Sequence, residues 1–265
     1  MKEIGFIGSG NMAGAIMGGI VKKGIFRPEE IITSDASPAA REKTERELGV
    51  EVTADNRKTA EESRILVLSV KPQYYSTVIE EIRDLIRPEQ IVITIAPGWT
   101  IEKVEKAFGK EIRLVRTMPN TPALVLEGIT AVCPNSHITE EDLTRVLAVL
   151  KSFGKAEVIS EHLMDAVVSV SGSSPAYVYM FIEALADGAV ADGMPRAQAY
   201  EFAAQAVYGS AKMVLETGKH PGELKDMVCS PAGTTIEAVR VLEEKGFRGC
   251  VLEAMQACTK KSKEM

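Results

Sequence analysis

The run IGFIGSGNMAGA, residues 4–15, is the first stretch whose residue types and spacing could hold a ligand. An apolar segment suited to a buried strand ends at Gly8. Gly10 follows two residues later, and Ala13 and Gly14 open an apolar, helix-compatible stretch. This is the G-x-G-x-x-G/A turn that cradles a pyrophosphate. Its first glycine permits the sharp turn, its second lets the backbone approach the phosphates, and its small third residue lets helix and strand pack closely. The helix that follows aims unsatisfied N–H groups and its positive dipole end at the anion. Small residues also populate ordinary turns, but a position directly after a strand and before a helix favours the dinucleotide site.

In an open parallel sheet, ligands bind outside the carboxyl ends of the strands. The residues that follow the apolar runs are therefore informative: Ser34 and Asp35; then Val70, Lys71 and Pro72; then Ala96-Pro97-Gly98; then Thr117-Met118-Pro119-Asn120-Thr121-Pro122. Each alone is an ordinary turn, whereas several in one register outline a pocket. Asp35 could hydrogen-bond an adenine ribose and repel a 2′-phosphate. No arginine immediately follows it, Arg41 being the nearest, while Ser34 and Asn56 could donate to a phosphate. On these grounds NAD and NADP stand even.

Two further segments could act on a substrate. The run HPGELKDMVCSPAGTTIEAVRVLEE begins at His220. Within it, Thr234 followed by Glu237 reads as a capping box opening a helix over 236–244. The preceding Ser230-Pro231-Ala232-Gly233 loop would present N–H groups at that helix start, a cradle for a carboxylate, with the Thr235 hydroxyl free in the first turn. A capped helix after a tight loop is the plainer reading. The segment SGSSPAY, from Ser171 to Tyr177, likewise opens a helix with proline near its start.

These motifs need a scaffold, and the patterning supplies one. Short β-rich runs at 3–7, 31–34, 65–69, 91–95, 112–116, 129–133 and 156–159 alternate with helical patterns. Ser37 before Pro38, and Thr139 with Asp142, mark helix starts. Strands alternating with helices imply a mostly parallel sheet covered on both faces. Beyond residue 160 the pattern changes to alanine-rich helices, 176–191 and 197–216, apolar on most faces. We therefore divide the chain into a Rossmann-like α/β dinucleotide-binding domain, 1–160, and an all-helical domain, 161–265. Helices apolar nearly all round must be buried, which predicts an obligate oligomer; an internal helical bundle is the alternative.

The 265 residues are 45% hydrophobic with a net charge of −6, which supports a substantial core and gives no reason to expect nucleic acid. No signal peptide fits before the first strand, and the longest uncharged run, 166–182, is interrupted by SGSSP, so neither membrane insertion nor export is expected. Cys133, Cys229, Cys250 and Cys258 lack C-x-x-C spacing, and three scattered histidines suggest no metal. Reduced thiols in a cytoplasmic protein are the expectation. There is no G-x-S-x-G elbow and no evident carboxylate pair. Hydride transfer accounts for that silence, because a cofactor then carries the hard chemistry.

FIGSGNMA, VKP, TMPNTP, SGSSPAY and the run from His220 together resemble the pyrroline-5-carboxylate reductase family, in its order and spacing from end to end. The resemblance implies a Rossmann-type domain followed by an all-helical dimerisation domain, in an obligate homodimer that can build a higher homo-oligomer. It implies reduction of 1-pyrroline-5-carboxylate to L-proline using NADPH or NADH; two hydrogen bonds from Ser34 and Asn56 against a screened repulsion from Asp35 make NADPH the expected better cofactor, with NADH usable. It places Gly8, Ser9, Gly10, Asn11 and Met12 on the pyrophosphate, and Ser34 and Asn56 near the adenosine 2′ position. Val70, Lys71, Pro72, Ile95, Ala96 and Pro97 line the cofactor. Glu161, Ser230, Gly233, Thr234 and Thr235 contact substrate at the subunit interface, with Thr235 hydrogen-bonding the ring nitrogen. Asp35 and Met227 depart from residues common in the family. A β-hydroxyacid dehydrogenase shares the two-domain plan, but the lysine it needs is absent from 171–183. A catalytically silent NADP-binding sensor is the other reading, which turnover would separate.

Overall fold

Successive side chains in a strand point to opposite faces, and that alternation sorts the core of this chain into two layers. The computed structural model describes residues 1–264. Its sheet has eight strands: β1 (Lys2–Ile7), β2 (Ile31–Ser34), β3 (Glu51–Thr53), β4 (Ser63–Leu68), β5 (Ile91–Thr94), β6 (Arg113–Met118), β7 (Gly128–Pro134) and β8 (Gly154–Val158). Their order is 3-2-1-4-5-6-7-8, and every neighbouring pair is parallel except β6 with β7. Ile4, Phe6, Ile65, Val67, Ile91 and Ile93 enter one layer; Ile7, Leu66, Leu68 and Val92 enter the other.

The helices α1 (Asn11–Lys22), α2 (Pro38–Leu48), α3 (Asn56–Glu62), α4 (Tyr75–Ile82), α5 (Ile101–Phe108) and α6 (Glu140–Leu150) fill the connections. Ile16, Met17 and Ile20 of α1 and Val146, Val149 and Leu150 of α6 close the first layer. Tyr75, Ile79 and Ile82 of α4 and Val104 and Phe108 of α5 close the second. Burial on both faces explains why β4 and β5 read as continuous apolar runs.

The expected strands are all present, with their ends displaced by at most two residues. The edge strand β3 was not foreseen. It is three residues long, only half-buried, and held to β2 by pairing rather than by an apolar pattern of its own. Ser37 caps α2 by accepting from Ala40 N, and Thr139 with Asp142 forms the capping box of α6.

By contact density the chain falls into two units: Met1–Ser173 together with the residues from Cys258 on, and Ser174–Ala257. The first also holds the short α7 (Met164–Val167), where Asp165 accepts from the Ser262 hydroxyl at 2.7 Å. The second consists of α8 (Ser174–Ala191), α9 (Arg196–Thr217), α10 (Pro221–Val228), α11 (Thr234–Glu244) and the start of α12 (Phe247–Lys263). Its buried cluster is only Ala186, Ala199 and Ala203, packed by Ile182, Ala189, Val190 and Met194.

Thr139 and Asp142 stand beside the amino ends of β4 to β6, where the Asp142 carboxylate also takes Arg113 Nη1 at 3.0 Å. Thr139→Ala should therefore cost about 1 kcal/mol in urea unfolding. Because cofactors bind at the opposite, carboxyl ends of the strands, it should leave dinucleotide affinity unchanged in a titration.

Candidate functional site

The turn after β1 is held open from both sides. Gly8 adopts φ +101°, a region that favours glycine, and a Cβ there would meet Ser69 O at 2.8 Å. Gly8 N donates to Ser34 O at 2.7 Å, and Ser69 Oγ donates to Gly8 O at 2.7 Å. The turn is thus tied to the ends of β2 and β4, on either side of β1. Gly10 caps α1 with no side-chain acceptor, and no acidic residue lies in the first turn, so the N–H groups of Asn11 and Met12 meet no competing carboxylate. A Cβ on Gly10 would project into open space, with nothing within 4 Å. The cradle therefore has room over its donors for a diphosphate, and the residues present fit that group.

At the end of β2 the structure departs from a simple ribose contact. Asp35 Oδ2 accepts from Ser9 N at 2.9 Å and Ser9 Oγ at 3.1 Å, while Oδ1 accepts from Ser37 N at 2.9 Å. Its carboxylate braces the glycine turn and the start of α2. Arg41 Nη1 donates to Asp35 O at 2.6 Å, which closes the same loop. Ser34 is buried and donates to Asn56 Oδ1 at 2.8 Å.

Two more strand ends meet over a tyrosine that sequence reasoning missed. Tyr75 is fully buried; its hydroxyl donates to Leu68 O at 2.5 Å and accepts from Thr94 Oγ1 at 3.0 Å and Ile95 N at 3.3 Å. Burial pushes its pKa up to about 12, so it stays a neutral donor. The ring stacks at 5.0 Å from Trp99, whose Nε1 donates to Pro72 O at 3.2 Å. Val70-Lys71-Pro72 and Ile95-Ala96-Pro97 are thereby clamped together. In sequence Tyr75 is one more residue of an amphipathic helix, and nothing there marks its hydroxyl as a tie.

Glu161 lies in the first unit, where its Oε1 accepts from Ile101 N at 2.8 Å and from Arg116 Nη1 at 2.7 Å. Arg116 is only 5% exposed, and its Nε has no partner among the described residues, so Glu161 supplies its charge compensation. The pair borders a cleft of about 420 Å³ that also touches Gly98, Thr100 and His162. Cys133 lies nearby, its thiol pushed up by burial and by the Glu161 charge, with Arg116 opposing, so it remains a thiol. Asn120 of the TMPNTP segment donates to Ser171 O at 3.1 Å, which joins that segment to the SGSSPAY run.

Ser230, Gly233, Thr234 and Thr235 belong to the second unit. The expected capping box is absent. Gly233 is the cap of α11, without a side-chain bond, and Thr234 is the first helical residue. A turn closed by Gly233 N donating to Ser230 O at 3.0 Å, with Ala232 at φ +54°, feeds the chain into the helix early. Glu237 pairs instead with Arg240 at 3.1 Å. The helix therefore begins two residues before the predicted 236, and its start carries no side-chain cap. Thr235 sits half-buried in that first turn, with no hydrogen-bond partner among the described residues.

A sheet of this order, with its glycine turn at the point where the order reverses and an uncapped helix beneath it, defines a dinucleotide-binding α/β protein of the oxidoreductase class. Residues 3–98 match the family model described as NADP oxidoreductase, coenzyme F420-dependent, and residues 161–265 match that of pyrroline-5-carboxylate reductase dimerisation. The chain belongs to the pyrroline-5-carboxylate reductase family. It is 52% identical over 264 residues to the pyrroline-5-carboxylate reductase of Escherichia coli K12, covering 100% of this chain and 98% of that one. The solved reductase from Coxiella burnetii aligns with a TM-score of 0.92 at 34% identity over 99% of this chain and 98% of its own. The Plasmodium falciparum enzyme, solved with NADP bound, aligns with a TM-score of 0.91 at 32% identity over 99% and 97%.

Tyr75→Phe keeps the ring and removes the tie, leaving Leu68 O unsatisfied. It should cost about 1–3 kcal/mol in equilibrium unfolding and weaken dinucleotide binding in a titration. Trp99→Phe, which removes a single bond, should cost less in both measurements.

Proposed function

We propose that this protein reduces the C=N bond of 1-pyrroline-5-carboxylate to give L-proline, as the last step of proline biosynthesis. The observation that carries the reading is the end-to-end match to reductases of that name, with the glycine cradle intact. The β-hydroxyacid dehydrogenase alternative lacks its lysine across residues 171–183. Proline formation from pyrroline-5-carboxylate, measured with NADPH and NADH side by side, tests the assignment. Binding without turnover would leave a sensor.

In this reading Gly10, Asn11 and Met12 hold the diphosphate of NADPH, while Gly8 and Ser9, whose donors are taken by Ser34 and Asp35, shape the turn beneath it. Asn56 faces the adenosine, with the buried Ser34 hydroxyl donating to its amide oxygen from behind, and the clamped loops Val70-Lys71-Pro72 and Ile95-Ala96-Pro97 carry the nicotinamide half. A reduced nicotinamide, when bound, supplies the hydride that ring C5 accepts. Ser230, Gly233 and Thr234 offer the open end of α11 to the substrate carboxylate, which an uncapped helix N-terminus favours. Glu161, held by Arg116, contacts the substrate in this reading. The Thr235 hydroxyl orients that nitrogen; it is too weak an acid to be the main proton source, so water relays the proton. Most of the rate then comes from aligning two bound reactants.

The protein works as a homodimer, which can assemble further, in the cytoplasm; among the described residues no helix is long and apolar enough to cross a membrane. Support for the dimer is the apolar surface of the second unit. Met180 is 70% and Phe202 66% exposed, over a buried cluster of three alanines. Patches of that kind mark association surfaces.

Thr235→Ala should lower kcat by about 10²-fold, the scale of one oriented transition-state hydrogen bond, and leave dinucleotide affinity alone. Wild-type kcat in that variant would remove Thr235 from the mechanism. Sedimentation at micromolar concentration should find no folded, active monomer.

A further inference from the structure

Ser34 and Asn56 are two links of a chain that ends on a carboxylate. The buried Ser34 hydroxyl donates to Asn56 Oδ1 at 2.8 Å, and Asn56 Nδ2 donates to Glu81 Oε2 at 2.8 Å. The amide orientation follows from its neighbours. Flipping it would set the amide oxygen against a carboxylate, so only the observed sense satisfies Glu81. Glu81 lies at the end of α4, exposed, with no ion-pair partner among the described residues. Arg57 reaches its backbone carbonyl at 3.4 Å rather than its carboxylate.

The end of the second strand is where a doubly wound sheet meets the adenine ribose, and the 2′ substituient there distinguishes NAD from NADP. Asp35, the acid expected to read that position, has both carboxylate oxygens engaged by Ser9 and Ser37. Neither carboxylate has an ion-pair partner among the described residues, but only that of Glu81 is hydrogen-bonded to Asn56. It draws toward itself the Asn56 donor that a 2′-phosphate would need.

We propose that Glu81 is a specificity-determining residue: through Asn56 it sets the reading of the ribose 2′ position, and its charge opposes a 2′-phosphate. This restrains the preference for NADPH and keeps NADH usable. The inference rests on the placement of the adenosine at Asn56 given above.

Glu81→Gln isolates the charge, because glutamine keeps an oxygen that can accept from Asn56. Wild type, Glu81→Gln and Asn56→Ala are compared by calorimetric titration with 2′,5′-ADP and 5′-AMP, and by kcat/KM for NADPH and NADH. For an exposed charge the expected gain in preference for the 2′-phosphorylated ligand is roughly two- to fivefold in Glu81→Gln. It should shrink at high salt, and Tm should not move. Asn56→Ala should lower the preference. An unchanged or reduced preference in Glu81→Gln overturns the role of Glu81. If Asn56→Ala still shifts the preference in that case, the adenosine placement survives; if neither variant shifts it, the placement falls as well.

Discussion

A strand that must pass from the middle of a parallel sheet directly into a helix can do so only through a very short turn, and the cofactor end of this protein follows from how that turn is made. Gly8 takes a positive φ, and its backbone is tied to Ser34 and Ser69, the residues at the ends of the two flanking strands. Any side chain at Gly8 would strike Ser69. The same ties bring the ends of β2 and β4 into register with the start of α1. Three strand ends and one helix N-terminus thereby converge on the space over Gly10.

The other half of that region is organised by buried polar groups rather than by backbone strain. Tyr75 joins β4 to β5 through one hydroxyl, and Trp99 closes the following loop onto Pro72. Glu161 does similar work further along, joining the start of α5 to Arg116 on β6. Buried polar groups are costly when unpaired, so each of these ties resists displacement. Glu161 thus touches the helix that begins just after the Ile95-Ala96-Pro97 loop.

The second unit obeys a different constraint. Its helices bury only small alanines among themselves, while large apolar side chains such as Met180 and Phe202 remain outside. Burial of apolar surface is the main favourable term in folding and association alike, and residues 161–265 match the family model of pyrroline-5-carboxylate reductase dimerisation.

The order of elements was legible from local rules. Apolar runs separated by helical patterns specify a parallel α/β sheet, and residues such as Gly8, Ser37 and Thr139 announce turns and caps through their own backbone chemistry. The glycine turn after β1 was legible for the same reason, since it is built from main-chain groups whose positions follow from glycine spacing. What the sequence could not show depends on partners distant along the chain. The edge strand β3 exists because β2 pairs with it. The assignments of Asp35 to Ser9, Asn56 to Glu81 and Tyr75 to Thr94 join residues 26, 25 and 19 positions apart. Residue type states what a side chain can donate or accept; only tertiary packing decides which group stands within 3 Å of it.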